Sequence, residues 1–105
     1  MLFTKDLIEK ILEGKKTMTS RSRKLYNVGD ITNLMANKDY SKITGKYIKI
    51  VKVYPKKLGD FTEEDARKEG FNSLEEFKKY WKEHEKKLGI WNDDRIVWIH
   101  EFELV

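Results

Sequence analysis

The six residues KTMTSR at positions 16–21 alternate in character, contain two β-branched threonines and follow an amphipathic helical pattern. This pattern favours a strand over a helix. Because side chains alternate across a strand, we expect Thr17, Thr19 and Arg21 on one face and the intervening side chains on the other. Hydroxyls and a guanidinium on one face can hold a polar or anionic ligand. The alternative interpretation is a solvated edge strand without a ligand.

The remainder of the chain predicts an α+β arrangement, with strands first, then helices, then a returning strand. Amphipathic spacing and two capping-box patterns predict helices over residues ~4–13, ~62–69 and ~73–87. Alternation and turn residues predict strands over residues ~16–21, ~30–36, ~44–54 and ~95–104. Gly29-Asp30 is expected to form the turn into the second strand, and Asn37-Lys38-Asp39 a connection. The last strand is expected to point Trp98 and Phe102 inward.

Length and composition exclude several classes of protein. At 105 residues without a linker-like segment, the chain is predicted to be a single domain covering residues 1–105. No segment approaches the roughly 18 apolar residues of a membrane span, and no signal peptide is recognisable, so we expect a cytoplasmic protein without membrane attachment. Cysteine is absent and the two histidines lack carboxylates at ligand spacing, so neither a metal nor a cofactor is expected. Abundant Lys and Glu, with no Gln or Cys, indicate a thermophilic source.

Charge is distributed unevenly along the chain. Residues 1–57 carry 14 basic and 5 acidic side chains, a net charge of +9, whereas residues 58–105 carry 8 and 13, a net charge of −5. A basic first half can present a positive face to phosphates. The alternative is a lysine-rich surface that is simply solvated.

The pattern G-x-K-x-x-T-x-R at residues 14–21, followed by a basic stretch and Gly-Asp at 29–30, resembles the ASCH family. The resemblance continues in order through the segment FTEEDARKEGF at 61–71 and the segment VWIHEF at 97–102, so it spans nearly the whole chain. It implies a small PUA-like mixed β-barrel with an N-terminal helix and a two-helix insert before the last strand.

The resemblance also implies a chemistry. A bacterial branch of small ASCH proteins hydrolyses N-acetylated cytidine to cytidine and acetate with a lysine, a threonine and a glutamate. The lysine and threonine of the shared pattern correspond to Lys16 and Thr19, and the glutamate, three positions after Ala66, corresponds to Glu69. Thr19 is then the nucleophile or a water-polarising hydroxyl, Lys16 its base and Glu69 a proton relay. Many ASCH relatives are instead thought to bind RNA or nucleotides, so the alternative is a non-catalytic RNA-binding module.

The expected partner is a modified nucleoside or an RNA base, bound by a monomer in a basic pocket beside the first of the predicted strands. Basic side chains are expected on phosphates and an aromatic side chain on a base. The predicted ligand-binding residues are Thr17, Arg21, Arg23, Lys24, Tyr26 and Trp91, of which Trp91 lies in a predicted loop. His84 is expected to be solvated, and His100 to be a hydrogen-bonded residue of the core or of a pocket edge.

Overall fold

The computed structural model describes residues 1–36 and 43–105, so the connection expected at residues 37–39 lies outside the described residues. In chain order the elements are β1 (Leu2–Phe3), α1 (Lys5–Leu12), β2 (Met18–Arg21), β3 (Ile31–Ala36), β4 (Ile43–Lys57), a 3-10 turn (Leu58–Asp60), α2 (Glu63–Lys68), α3 (Leu74–Glu83), α4 (Glu85–Leu88) and β5 (Ile96–Leu104). None of these helices combines the length and the apolar character needed to cross a bilayer.

The five strands form one mixed sheet in the order β1-β3-β4-β5-β2. β1 runs parallel to β3, and the other neighbouring pairs are antiparallel. In the described part of the chain β1 and β2 remain the two edges, so the sheet is not closed. The predicted α+β class is confirmed, whereas closure of the sheet into the predicted barrel is not shown.

Strand β5 lies between β4 and β2 and divides the hydrophobic core in two. Val97 and Ile99 pack with α2 and α3 on one face, whereas Phe102 packs with α1 on the other. A strand covered on both faces buries residues of both parities. Phe102 is therefore buried as predicted, but Trp98 is only half-buried, and its neighbours Val97 and Ile99 fill the core instead.

The helical insert begins where its caps predict. The Thr62 hydroxyl accepts from the Asp65 N–H at 3.1 Å, and the Asp65 carboxylate accepts from the Thr62 N–H at 2.9 Å. Ser73 caps α3 by accepting from the Glu76 N–H at 3.1 Å. The single helix predicted over residues ~73–87 is wrong, because the backbone leaves the helical region at His84 (φ −114°, ψ 19°) and the chain continues as the separate helix α4.

The turn predicted before β3 is confirmed. Gly29 has a φ of 95°, which favours glycine, and the Asp30 N–H donates to the Asn27 carbonyl at 3.1 Å. β3 then begins at Ile31. The edge strand β1 was not predicted, since two residues are too few to show a period.

Two isoleucines of β5 give a matched test of this core. Ile99 is 0% exposed and Ile96 is 55% exposed. Replacing Ile99 by Ala should lower the free energy of unfolding by about 2–5 kcal/mol, because it leaves a cavity against α2 and α3. Ile96→Ala should change it by about 0.5 kcal/mol or less. Urea denaturation of both variants measures the difference, and equal losses would contradict the position of Ile99 in the core.

Candidate functional site

The centre of the candidate site is a buried ion pair between Lys16 and Glu69. Lys16 Nζ lies 3.3 Å from Glu69 Oε2, and the two side chains are 2% and 5% exposed. The same ammonium donates to the backbone carbonyls of Met18 at 2.8 Å and of Glu69 at 3.0 Å. Because an ammonium has three donors, these bonds use its full capacity.

Two chain segments meet to form this pair. Lys16 lies two residues before the start of β2, and Glu69 is the C-cap of α2. The Thr17 N–H donates to the Lys68 carbonyl at 2.8 Å, which holds the segments side by side. Gly70 has a φ of 100°, and a Cβ there would lie 3.2 Å from the Lys16 Cβ. Glycine at position 70 therefore permits both the backbone conformation and the close approach of Lys16.

Ser20 completes the environment of the Glu69 carboxylate. Its hydroxyl donates to Glu69 Oε1 at 2.8 Å, so each carboxylate oxygen has a partner. The sequence analysis did not include Ser20 among the site residues. The signal was nevertheless present, since Lys16, Met18 and Ser20 share the parity that places side chains on one face of a strand.

Thr19 is bound by Arg21 rather than by the ion pair. Thr19 is 2% exposed, and its Oγ1 accepts from Arg21 Nη1 at 2.7 Å. The Arg21 side chain also donates from Nη2 to the Leu2 carbonyl at 2.9 Å and lies 5.1 Å from the centre of the Phe3 ring. A cation that donates to a hydroxyl oxygen favours the deprotonated form of that hydroxyl. The charge of Arg21 therefore favours the deprotonated form of the Thr19 hydroxyl, whereas the burial of Thr19 disfavours that form.

Burial lowers the pKa of Lys16. Removing the ammonium from water is the largest cause, the negative charge of Glu69 opposes it, and the positive charges of Arg21 and Lys10 add to the lowering. The neutral amine of Lys16 is therefore easier to reach than that of a surface lysine. A neutral amine is the form that can accept a proton.

The predicted ligand-binding residues with basic or hydroxyl side chains do not lie together in one pocket. Arg21 lines a cleft of about 290 Å³ between the β1–α1 segment and the α3–α4 segment. Thr17 lies beside Lys16 in a different cavity of about 170 Å³. Arg23 and Lys24 are exposed in the segment after β2. Of these four residues, only Arg21 lines the cleft.

The two predicted aromatic contacts are engaged within the fold. The Tyr26 ring meets His100 edge-on, with centroids 6.2 Å apart. The Trp91 ring lies 5.6 Å from Trp81, and the Lys78 ammonium lies 5.3 Å from the centre of the Trp91 ring. Stacking of a base on Trp91 would therefore compete with an existing cation–π contact.

The histidines differ from one another in environment. His100 is fully buried, and its Nε2 accepts the Leu25 N–H at 3.2 Å, which assigns the ring hydrogen to Nδ1. Burial lowers the pKa of His100, and Arg21 and Lys24 act in the same direction. His84 was expected to be solvated, but it is half-buried, donates from Nδ1 to the Tyr80 carbonyl at 2.9 Å and stacks on the Tyr80 ring at 4.2 Å. Across residues 1–36 and 43–105, no group of three or more acidic or histidine side chains could hold a metal ion.

The chain resembles known proteins in sequence and in fold. A family model of the ASCH domain matches residues 1–105. Protein EF3133 from Enterococcus faecalis V583, of family DUF984, is 20% identical with a TM-score of 0.70, and the match covers 95% of this chain and 67% of that chain. An ASCH domain from Lactobacillus crispatus JV V101 is 19% identical with a TM-score of 0.69, covering 94% and 70%.

A mutant of ZmASCH from Zymomonas mobilis is 12% identical with a TM-score of 0.68, covering 98% of this chain and 65% of that chain. The chain thus spans about two thirds of the length of these proteins. At such identities the likeness shows a shared fold alone. No curated protein matches the sequence.

Removing the ammonium of Lys16 tests the energetic role of the pair. Lys16→Met leaves the Glu69 carboxylate buried without its cation, so the free energy of unfolding should fall by about 3–5 kcal/mol. Lys15→Met is the matched control, because Lys15 is 69% exposed and pairs with Glu13 at the surface. It should cost about 1 kcal/mol or less. Denaturant unfolding measures both variants. Equally small losses in the free energy of unfolding would contradict a structural role for the ion pair.

Stability should also depend on alkaline pH through Lys16. Its pKa is lower in the folded chain than in the unfolded chain, so the unfolded state binds more protons between the two values. The free energy of unfolding contributed by Lys16 should therefore rise with pH, from the lowered native pKa up to the ordinary value of 10.5. Denaturant unfolding of the wild type and Lys16→Met across this range measures their difference. A difference that stays flat or shrinks as pH rises would contradict the lowered pKa.

Proposed function

Because the chain belongs to the ASCH domain family, we propose that it binds a modified nucleoside and hydrolyses the amide of N-acetylated cytidine. The observation that carries this proposal is the environment of the Thr19 hydroxyl. It receives a hydrogen bond from the Arg21 guanidinium, and it follows by three residues a buried lysine whose pKa is lowered. Both effects favour transfer of a proton away from the hydroxyl.

In this proposal the Thr19 hydroxyl attacks the acetyl carbonyl. The neutral amine of Lys16 takes the hydroxyl proton, and the carbon–nitrogen bond breaks as the exocyclic amine of cytidine leaves with a proton. Water then cleaves the acetyl–threonine ester to release acetate. In the described structure no hydrogen bond joins Lys16 to Thr19, so the amine must turn from the Met18 carbonyl towards Thr19 when substrate binds. Catalytic hydrogen bonds are often long or poorly aligned without substrate and shorten in the complex.

Glu69 has the contacts that a proton relay needs. Its Oε2 is 3.3 Å from Lys16 Nζ, and its Oε1 is held by Ser20 at 2.8 Å. A carboxylate fixed at both oxygens can receive the proton from Lys16 without reorganising, and the leaving amine requires one proton. Arg21 occupies the boundary between this group and the cleft, because it both binds Thr19 and lines the cleft. We therefore propose that the nucleoside enters through the cleft and reaches Thr19 while the guanidinium keeps its hydrogen bond to the Thr19 hydroxyl.

The second candidate is a non-catalytic RNA-binding module. It is favoured by the exposed basic side chains in the first half of the chain, namely Arg23, Lys24, Lys49, Lys52 and Lys57. Such side chains attract phosphates without requiring a closed pocket.

Removing one hydroxyl separates the two candidates. Thr19→Val keeps the shape and β-branching of the side chain, so the variant should fold, while turnover of N4-acetylcytidine should fall by roughly 100-fold or more. Ser22→Ala is the control, since it removes an exposed hydroxyl from the segment just after β2. The absorbance change on deacetylation measures turnover. Equal turnover by the wild type and Thr19→Val would reject Thr19 as the nucleophile.

RNA affinity at two salt concentrations tests the binding module. If phosphate contacts dominate, Arg23→Ala and Lys24→Ala should each weaken binding and reduce the slope of log affinity against log salt by about 1. Thr19→Val should leave RNA affinity unchanged. Salt-sensitive RNA binding by the wild type, together with no turnover of any acylated nucleoside, would reject the hydrolase in favour of the binding module.

A further inference from the structure

The charged side chains that line the cleft beside Arg21 are basic. Of the described residues that line its volume of about 290 Å³, none is acidic, whereas Arg21 and Lys87 are basic. The side opposite α3 and α4 is apolar and includes Leu2, Phe3 and Leu7. A basic wall facing an apolar wall suits a ligand with a negative group and a flat, weakly polar part.

Three polar groups on the α3–α4 side of this cleft have spare capacity. Among the described residues, the Tyr80 hydroxyl and the Lys87 ammonium make no hydrogen bond or ion pair. His84 uses Nδ1 on the Tyr80 carbonyl, which leaves Nε2 available. Burial raises the pKa of Tyr80, and the nearby charge of Glu69 acts in the same direction, so its hydroxyl remains a donor. All three residues line the cleft, with Tyr80 on α3, His84 between the two helices and Lys87 on α4.

We propose that this cleft binds a nucleoside that carries a phosphate monoester, with the phosphate held by the Lys87 ammonium and the Tyr80 hydroxyl and the base on the apolar side near Arg21. This inference rests on the proposed function, since it names the substrate class of that same site. The ammonium and the hydroxyl on this side can both donate hydrogen bonds to phosphate oxygens, and a hydrogen bond from an ammonium to a phosphate is stronger than one to an uncharged sugar hydroxyl. The volume lies just below the range of typical small-molecule sites, which suits one nucleotide.

Calorimetric titration with cytidine and with cytidine 5′-monophosphate tests the proposal. The monophosphate should bind the wild type at least about 10-fold more tightly than cytidine, because charge-assisted hydrogen bonds to phosphate are strong. Lys87→Ala should remove most of that preference and leave the affinity for cytidine unchanged. Lys86→Ala is the matched control, because Lys86 is the exposed neighbour on α4 and does not line the cleft. It should keep the preference.

Three outcomes would overturn the proposal. The first is equal affinity of the wild type for the two ligands. The second is a loss on Lys87→Ala that is the same for both, because Lys87 then does not contact the phosphate. The third is inorganic phosphate alone binding as tightly as the monophosphate, which would reduce the cleft to an anion site without nucleoside recognition.

The phosphate monoester could belong to a free nucleotide or to the end of an RNA chain. A dinucleotide with a 5′-phosphate on cytidine distinguishes these sources: weaker binding than the monophosphate supports the free nucleotide, and equal or tighter binding supports the RNA end. None of these ligands carries an acetyl group, so binding is measured independently of catalysis. A preference for the monophosphate without turnover of acetylated substrates would reject the proposed hydrolase activity but not the phosphate contact. Equal kcat/KM on acetylated cytidine and its monophosphate would reject the phosphate contact but not the hydrolase activity.

Discussion

The buried ion pair between Lys16 and Glu69 is the interaction on which the arrangement of the site depends. It joins the start of β2 to the end of α2, segments that are 53 residues apart in the chain. Charges removed from water are costly unless their hydrogen-bonding groups are satisfied, and here two backbone carbonyls and the Ser20 hydroxyl supply the missing partners. Ser20 binds this pair from β2, and its neighbour Arg21 binds Thr19 and lines the cleft.

Local signals in the sequence predicted most of the fold. The capping box at Thr62, the N-cap at Ser73, the turn at Gly29 and the period of α1 depend on residues close in the chain, which is why these predictions hold. The second half of the capping box predicted at Ser73 is not formed. Long-range packing decided the rest. The half-buried state of Trp98 depends on cores covering both faces of β5, and the order of the sheet depends on pairings that no period reveals.

The site was less predictable than the fold. Alternation explains why Thr19 and Arg21 share a face, and it could have identified Ser20. Nothing local indicates that Glu69 reaches Lys16, and that expectation came from the family resemblance alone. The cleft was not foreseen, because its walls come from the β1–α1 segment and from α3–α4, which tertiary packing brings together. Trp91 lies on a loop as predicted, and it packs against Trp81, a contact that its neighbours in sequence do not indicate.

The central claim is that Lys16 is a buried base whose proton is easily lost, and NMR titration of the side-chain amino groups of the lysines tests it most directly. We predict that the Lys16 amine titrates below the ordinary lysine value of 10.5. We also predict that Glu69→Gln lowers the pKa of Lys16 further, because the carboxylate charge that opposes the lowering is lost. A Lys16 signal that titrates together with the surface lysines, in the wild type and in Glu69→Gln, would contradict the account.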